Sequence, residues 1–173
     1  MDLKKHIRTI PDFPKPGINF FDITTLLKDP MAFQETIQQL CAPYRNQTIG
    51  HIVGIESRGF IFGAAMALEL GCGFVPIRKP GKLPAATEKE EYALEYGTDA
   101  IEIHKDAILP GSQVLIVDDL LATGGTAAAA IKLIRKLNGH ILGIAFLIEL
   151  TFLNGREKLG DVPVHVLMDY DSE

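Results

Sequence analysis

The sequence predicts an α/β protein with a parallel-sheet core flanked by helices, and three observations predict it. Runs dominated by Val, Ile and Leu recur at "HIVGI", "GFVPIR", "SQVLIVDD", "HILGIAFLIEL" and "VPVHVLMDY". They are apolar on both sides, as strands covered on both faces must be. Helical segments separate several of them: "GFIFGAAMALEL", closed by Gly71, and the Ala-rich "GTAAAAIKLIRKLNG", ending at Asn138-Gly139. The third observation is size and composition. A chain of 173 residues, 47% hydrophobic and 23% charged, suits one domain with a sizeable core.

The elements follow in order. After a short N-terminal helix, "IPDFPKPGINFFDITTLLKDP" reads as extended or looped, because Pro11, Pro14 and Pro16 prevent a continuous helix. "DPMAFQETIQQLCAPY" is a helix with Asp29 as N-cap and Pro30 in its first turn. The strand, helix, strand series begins at His51. The half-polar "YALEY" and "AIEIH" read as an antiparallel excursion between the second strand and "SQVLIVDD". The segment from Ala85 to Asp99 is polar and turn-rich, the character of a lid.

Composition excludes several classes of function. A net charge of −5 argues against a broad nucleic-acid-binding face. No apolar run approaches the roughly 20 residues that span a bilayer, and "MDLKKHIRTI" lacks an apolar signal-peptide core. A cytoplasmic location without membrane partners is expected. Cys41 and Cys72 stand far apart, and the five histidines have no ligand-like spacing, so neither a disulfide framework nor a protein-held metal is expected.

In parallel sheets ligands bind beyond the carboxyl ends of the strands. Three stretches fall on that rim: "ESRGF", "RKPGK" and "DDLLATGGT". In the last, Gly124 and Gly125 permit close backbone approach, Thr123 and Thr126 bring hydroxyls, and the following helix turns free N–H groups toward the turn. This suits a phosphate monoester, although the spacing is not that of a Walker A loop. Asp118 and Asp119 would repel a phosphate but suit vicinal hydroxyls or a divalent metal. A sugar phosphate reconciles the two signals, with its phosphate in the turn and its diol over the acids. Arg78, Lys79 and Lys82, with "ESRGF", supply charge for a second phosphate group.

"VLIVDDLLATGGT" resembles the phosphoribosyl-pyrophosphate (PRPP) signature of the type I phosphoribosyltransferases. "PDFPKPGINFFDIT", "GIESRGFIFG", "VPIRKPGKLP" and "LEYGTDAIEIHKDAI" extend the resemblance over nearly the whole chain. "RKPGKLP" together with "LEYG" narrows it to the branch that acts on adenine. The resemblance implies the type I phosphoribosyltransferase fold over residues 1–173, with an N-terminal hood at about 1–28 and a flexible lid loop at about 85–99. It implies transfer of the 5-phosphoribosyl group from PRPP to adenine, giving AMP and pyrophosphate in purine salvage. Magnesium would be carried by PRPP and not held directly by the protein, and the enzyme would be a homodimer.

Residue by residue, the resemblance implies that Asp118 and Asp119 hold the ribose hydroxyls and that Ala122, Thr123, Gly124, Gly125 and Thr126 bind the 5′-phosphate. Glu56, Ser57, Arg58, Arg78, Lys79 and Lys82 handle pyrophosphate, with a cis peptide at Glu56-Ser57. Ile18, Asn19, Phe20 and Arg58 contact adenine. Glu95 and Arg58 are the catalytic candidates, Glu95 as acid or base at adenine N7. Phe21 departs from the pattern, since many relatives carry a basic residue there. Two alternatives stay open on the residues: a related transferase for a 6-oxopurine, and a regulatory protein that keeps the PRPP fold as a ligand sensor.

Overall fold

The computed structural model describes residues 1–94 and 96–172. Its centre is a five-stranded sheet of β3 (His51–Ile55), β4 (Gly73–Ile77), β7 (Gln113–Leu121), β8 (His140–Leu150) and β9 (Val164–Tyr170), ordered β4-β3-β7-β8-β9. Every pairing is parallel. Chain order therefore reverses between β3 and β7, and such a reversal leaves a crevice at the carboxyl ends of the two strands.

Side-chain alternation divides the core into two layers. Val114 and Ile116 of β7 enter one, with Ala130, Ile131 and Ile134 of α4 (Gly125–Lys136). Leu115 and Val117 enter the other, with Ile37 and Leu40 of α2 (Pro30–Cys41) and Phe62 and Met66 of α3 (Arg58–Leu70). The apolar runs are strands because both of their faces are covered. Pro76 is tolerated because β4 is an edge strand.

The helix ends follow the sequence signals. The Asp29 carboxylate accepts from Met31 N–H and Ala32 N–H at 3.0 and 3.2 Å, capping α2. Gly71, at φ 71°, ends α3, and Cys72 N–H donates to Ala67 O at 3.0 Å.

Two regions differ from expectation. The N-terminal stretch contains a small antiparallel pair, β1 (Arg8–Ile10) with β2 (Phe20–Asp22), followed by the short helix α1 (Thr24–Leu27). The excursion is longer than "YALEY" and "AIEIH" suggest: β5 (Thr87–Ala93) pairs residue for residue with β6 (Thr98–His104). Much of the stretch from Ala85 to Asp99 is therefore strand, and between the two strands Leu94 N–H donates to Gly97 O at 3.0 Å. The reason is cross-strand and helix pairing of polar side chains. Glu90, on the inward face of β5, accepts from Lys136 Nζ of α4 at 2.7 Å. An antiparallel bridge between Arg78 and Glu102 ties this hairpin to the end of β4.

Asp22 anchors the N-terminal pair. It accepts from Thr24 N–H at 2.9 Å, from the Thr24 hydroxyl at 2.6 Å and from Arg8 Nε at 3.0 Å. The Thr24 hydroxyl first, and then Arg8, hold its carboxyl down at about 2, below the ordinary 3.8. Its contribution to stability is therefore complete above about pH 4 and is lost as pH falls toward 2. Asp22→Ala should destabilise the protein by about 1–2 kcal/mol at pH 7. In urea unfolding at a series of pH values, the difference from the parent should shrink below pH 4.

Candidate active site

Strand β3 stops at Ile55, whereas β7 runs on to Leu121 beside β8. The overhang carries Asp118 and Asp119 into the crevice. Helix α3 begins immediately alongside, and only glycine allows the approach. A Cβ on Gly59 would lie 2.9 Å from Val117 O and 3.1 Å from Asp118 Oδ1. The same helix start brings Arg58 over the acids, where its Nε donates to Asp119 Oδ2 at 2.5 Å.

Two adjoining cavities occupy the crevice. The larger, about 350 Å³, is walled by Glu56, Ser57, Arg58, Lys79 and the two aspartates, among others. The smaller, about 80 Å³, is formed by Leu120–Ala127 with Asp118 and Phe146. That is roughly the share of three waters at ~30 Å³ each, a size that suits one phosphate group. Asp118, Leu120, Ala122 and Thr126 border both. Gly124, at φ 88°, caps α4 without a side-chain bond, so the helix offers its first N–H groups to the small cavity.

Each cation at the crevice has an acidic partner. Arg58 pairs with Asp119, Arg78 Nε donates to Glu56 Oε1 at 2.8 Å, and Lys79 Nζ pairs with the Asp99 carboxylate. Burial works to raise the Glu56 carboxyl, and the Arg78 hydrogen bond with the Lys79 N–H more than reverses it. The Lys79 hydrogen bond holds Asp99 below its ordinary range, and Asp99 in turn raises Lys79. Asp118 behaves oppositely. Burial, and then the charge of Asp119, push its carboxyl well above the usual carboxylate range. One member of the acid pair is thus driven toward the neutral form, able to donate as well as accept, beside a partner that binds Arg58. Vicinal hydroxyls can use both.

Several residues expected at the site converge there. Glu56, Ser57, Arg58, Lys79, Asp118, Asp119 and the stretch from Ala122 to Thr126 line one or both cavities. The Glu56-Ser57 peptide is cis, as the resemblance implied. Arg78 reaches the site through Glu56, whereas Lys82 is exposed and outside the lining. Ile18, Asn19 and Phe20 also lie outside it, in the N-terminal loop and β2, where Phe20 packs edge-on to Phe13 at 5.2 Å. Phe21 faces away and stacks on Tyr170, with ring centroids 4.0 Å apart. Glu95 lies outside the described residues.

Sequence reading missed Tyr92 and Asp99. The Tyr92 hydroxyl accepts from Thr126 Oγ1 at 3.2 Å and from Lys79 Nζ at 3.5 Å, and donates to Asp99 Oδ2 at 3.3 Å. The period-2 alternation of β5 was the available signal, because Glu88, Glu90 and Tyr92 share its inward face.

A doubly wound sheet with an acid pair and a glycine turn at its switch point defines a binder of phosphorylated sugars. Residues 24–164 match the phosphoribosyl transferase domain family. The chain is similar to the adenine phosphoribosyltransferase of Acaryochloris marina, at 61% identity over 98% of this chain and 100% of that one. Among solved structures, it is similar to adenine phosphoribosyltransferase from Thermoanaerobacter pseudethanolicus, with a TM-score of 0.94, 54% identity and 98% of each chain covered. The Saccharomyces cerevisiae enzyme, complexed with an imino-altritol bisphosphate and adenine, gives a TM-score of 0.91 and 47% identity, with 96% of each chain covered. The chain belongs to the phosphoribosyltransferases and, within them, to the adenine phosphoribosyltransferase family.

Because its folded value lies above the ordinary 3.8, Asp118 imposes a stability cost that is absent in acid and grows as pH rises through that range. Asp118→Asn should stabilise the ligand-free protein by about 1 kcal/mol or more at pH 7 while reducing activity. Thermal unfolding at pH 4 and pH 7 checks this, the gain appearing only at the higher pH.

Proposed function

We infer that the protein transfers the 5-phosphoribosyl group from PRPP to adenine, producing AMP and pyrophosphate. The observation that carries this reading is the shared wall of the two cavities. Asp118 stands between a cradle of phosphate size and a larger chamber rimmed by Arg58 and Lys79. The 5′-phosphate is assigned to Ala122–Thr126, the ribose hydroxyls to Asp118 and Asp119, and pyrophosphate to Glu56, Ser57, Arg58, Arg78, Lys79 and Lys82. Ile18, Asn19, Phe20 and Arg58 are assigned to adenine.

The reaction breaks the bond from ribose C1′ to the pyrophosphate oxygen and forms a bond from C1′ to adenine N9. Positive charge grows on the sugar while negative charge grows on the leaving group. Arg58 and Arg78, which hold their carboxylate partners through Nε, turn their outer nitrogens to pyrophosphate oxygens, and with Lys79 they hold that charge as it develops. The acids fix the ribose and face the developing cation. Glu95 and Arg58 are the proposed catalytic residues, with Glu95 managing the adenine proton at N7. Covers from the hood at 1–28 and the lid at 85–99 would exclude water from the reactive sugar.

Magnesium is a hard cation suited to oxygen donors. Asp119 and Glu56 already hold Arg58 and Arg78, so the fit is to an ion arriving on PRPP rather than to a protein-held one. When bound, it would help neutralise the leaving pyrophosphate. A homodimer in the cytoplasm completes the reading. Exposed Leu68 and Ile61 of α3 and Met31 of α2 support self-association. Among the described residues no helix is long and apolar enough to cross a membrane.

The direct test incubates the purified protein, magnesium and PRPP with adenine, hypoxanthine, guanine, xanthine or uracil and separates the nucleotides by chromatography. AMP from adenine alone is expected, and product from a 6-oxopurine would overturn the base assignment. Lys79→Ala should raise the KM for PRPP by about tenfold, equivalent to about 1.4 kcal/mol, with little change in the KM for adenine. A change confined to adenine would remove Lys79 from the pyrophosphate site.

A further inference from the structure

We propose that Glu149 and Arg156 are positioning residues for the phosphate cradle, acting through Gly155. The inference rests on reading Ala122–Thr126 as the 5′-phosphate site. Glu149 is a buried acid that the chemistry above does not use, its side chain only 7% exposed. It stands at the carboxyl end of β8, paired in register with Leu121, the residue before the cradle begins.

Arg156 grips this carboxylate with a fork. Its Nε donates to Oε1 and Oε2 at 3.0 and 2.9 Å, and its Nη2 donates to Oε1 at 2.8 Å. Planar bidentate pairing of this kind fixes direction as well as distance. The pair closes a short loop of chain and sets where Gly155, the residue before Arg156, must lie.

Gly155 meets the cradle with no atom to spare on either side. A Cβ on Gly155 would stand 2.5 Å from the Ala122 carbonyl oxygen and 3.0 Å from Leu121 Cδ1. A Cβ on Gly124 would run into the Gly155 carbonyl, with its carbon at 3.1 Å. The contact therefore holds the first and third residues of the turn. Because the peptide unit is planar, whatever fixes the Ala122 carbonyl also fixes the Thr123 N–H. Those N–H directions are what a cradle needs. Stability alone does not account for the pair, since an ion pair with its cation half-exposed contributes little net stability.

The test compares AMP with adenosine, which differ by the 5′-phosphate, in calorimetric binding to the parent, Gly155→Ala and Arg156→Lys. It adds the KM values for PRPP and adenine. Both variants should bind AMP more weakly, Gly155→Ala by roughly tenfold or more, with adenosine affinity unchanged. The KM for PRPP should rise and that for adenine should not. AMP affinity equal to the parent's, or equal losses for AMP and adenosine, would overturn the proposal. If Gly155→Ala does not fold, Arg156→Lys decides by the same criteria, its side chain being half-exposed. A parent that binds AMP and adenosine alike would overturn the cradle assignment itself, and this proposal with it.

Discussion

Everything at the site depends on β7 outrunning the strand beside it. Parallel pairing of β3 and β7 runs from His51 with Val114 to Gly54 with Val117, and from there β7 continues only against β8. The unpaired flank leaves room for the start of α3, and the overhang places carboxylates where a fully paired strand would have neighbours. An antiparallel partner would fill that space with a turn. The chain thus obtains a polar crevice from an otherwise apolar element by a mismatch in length.

The cost of that arrangement falls on Asp118, which is desolvated beside another acid. Two contacts offset it in part: Arg58 from α3 holds the second acid, and within β7 the Asp119 N–H donates to Asp118 Oδ1 at 2.8 Å. The hairpin of β5 and β6 performs the same service one step outward, where Asp99 and Tyr92 hold Lys79. Fold stability and site electrostatics are here the same set of contacts.

Much of this was legible in the sequence where local chemistry decides the outcome. The runs at 51–55 and 140–150, the Asp29 cap and the Gly71 stop follow from patterning and backbone preference. Asp118, Asp119 and the glycine turn were legible because their residue types make little sense elsewhere in a buried strand and its exit. Tyr92, Asp99, Glu149 and Arg156 were not, because each acts through a partner brought near only by folding. The hairpin was blurred for a related reason: its polar inward face, Glu90 toward Lys136, does not look like a buried face until α4 is beneath it. Ile18, Asn19 and Phe20 rest on resemblance, and no local signal in the residues marks them as base contacts.

The pairing of every cation at the crevice with an acid has a consequence for selectivity. A guanidinium that pairs with its carboxylate through Nε, as Arg58 and Arg78 do, keeps its outer nitrogens for an entering anion. An inorganic anion can therefore reach the cations but leaves the acid pair unused, and a plain sugar can use the acid pair but leaves the glycine turn empty. A molecule bearing anionic groups and a diol at the right separation uses both sets together, so a site built this way would discriminate by coincidence of two features rather than by affinity for either.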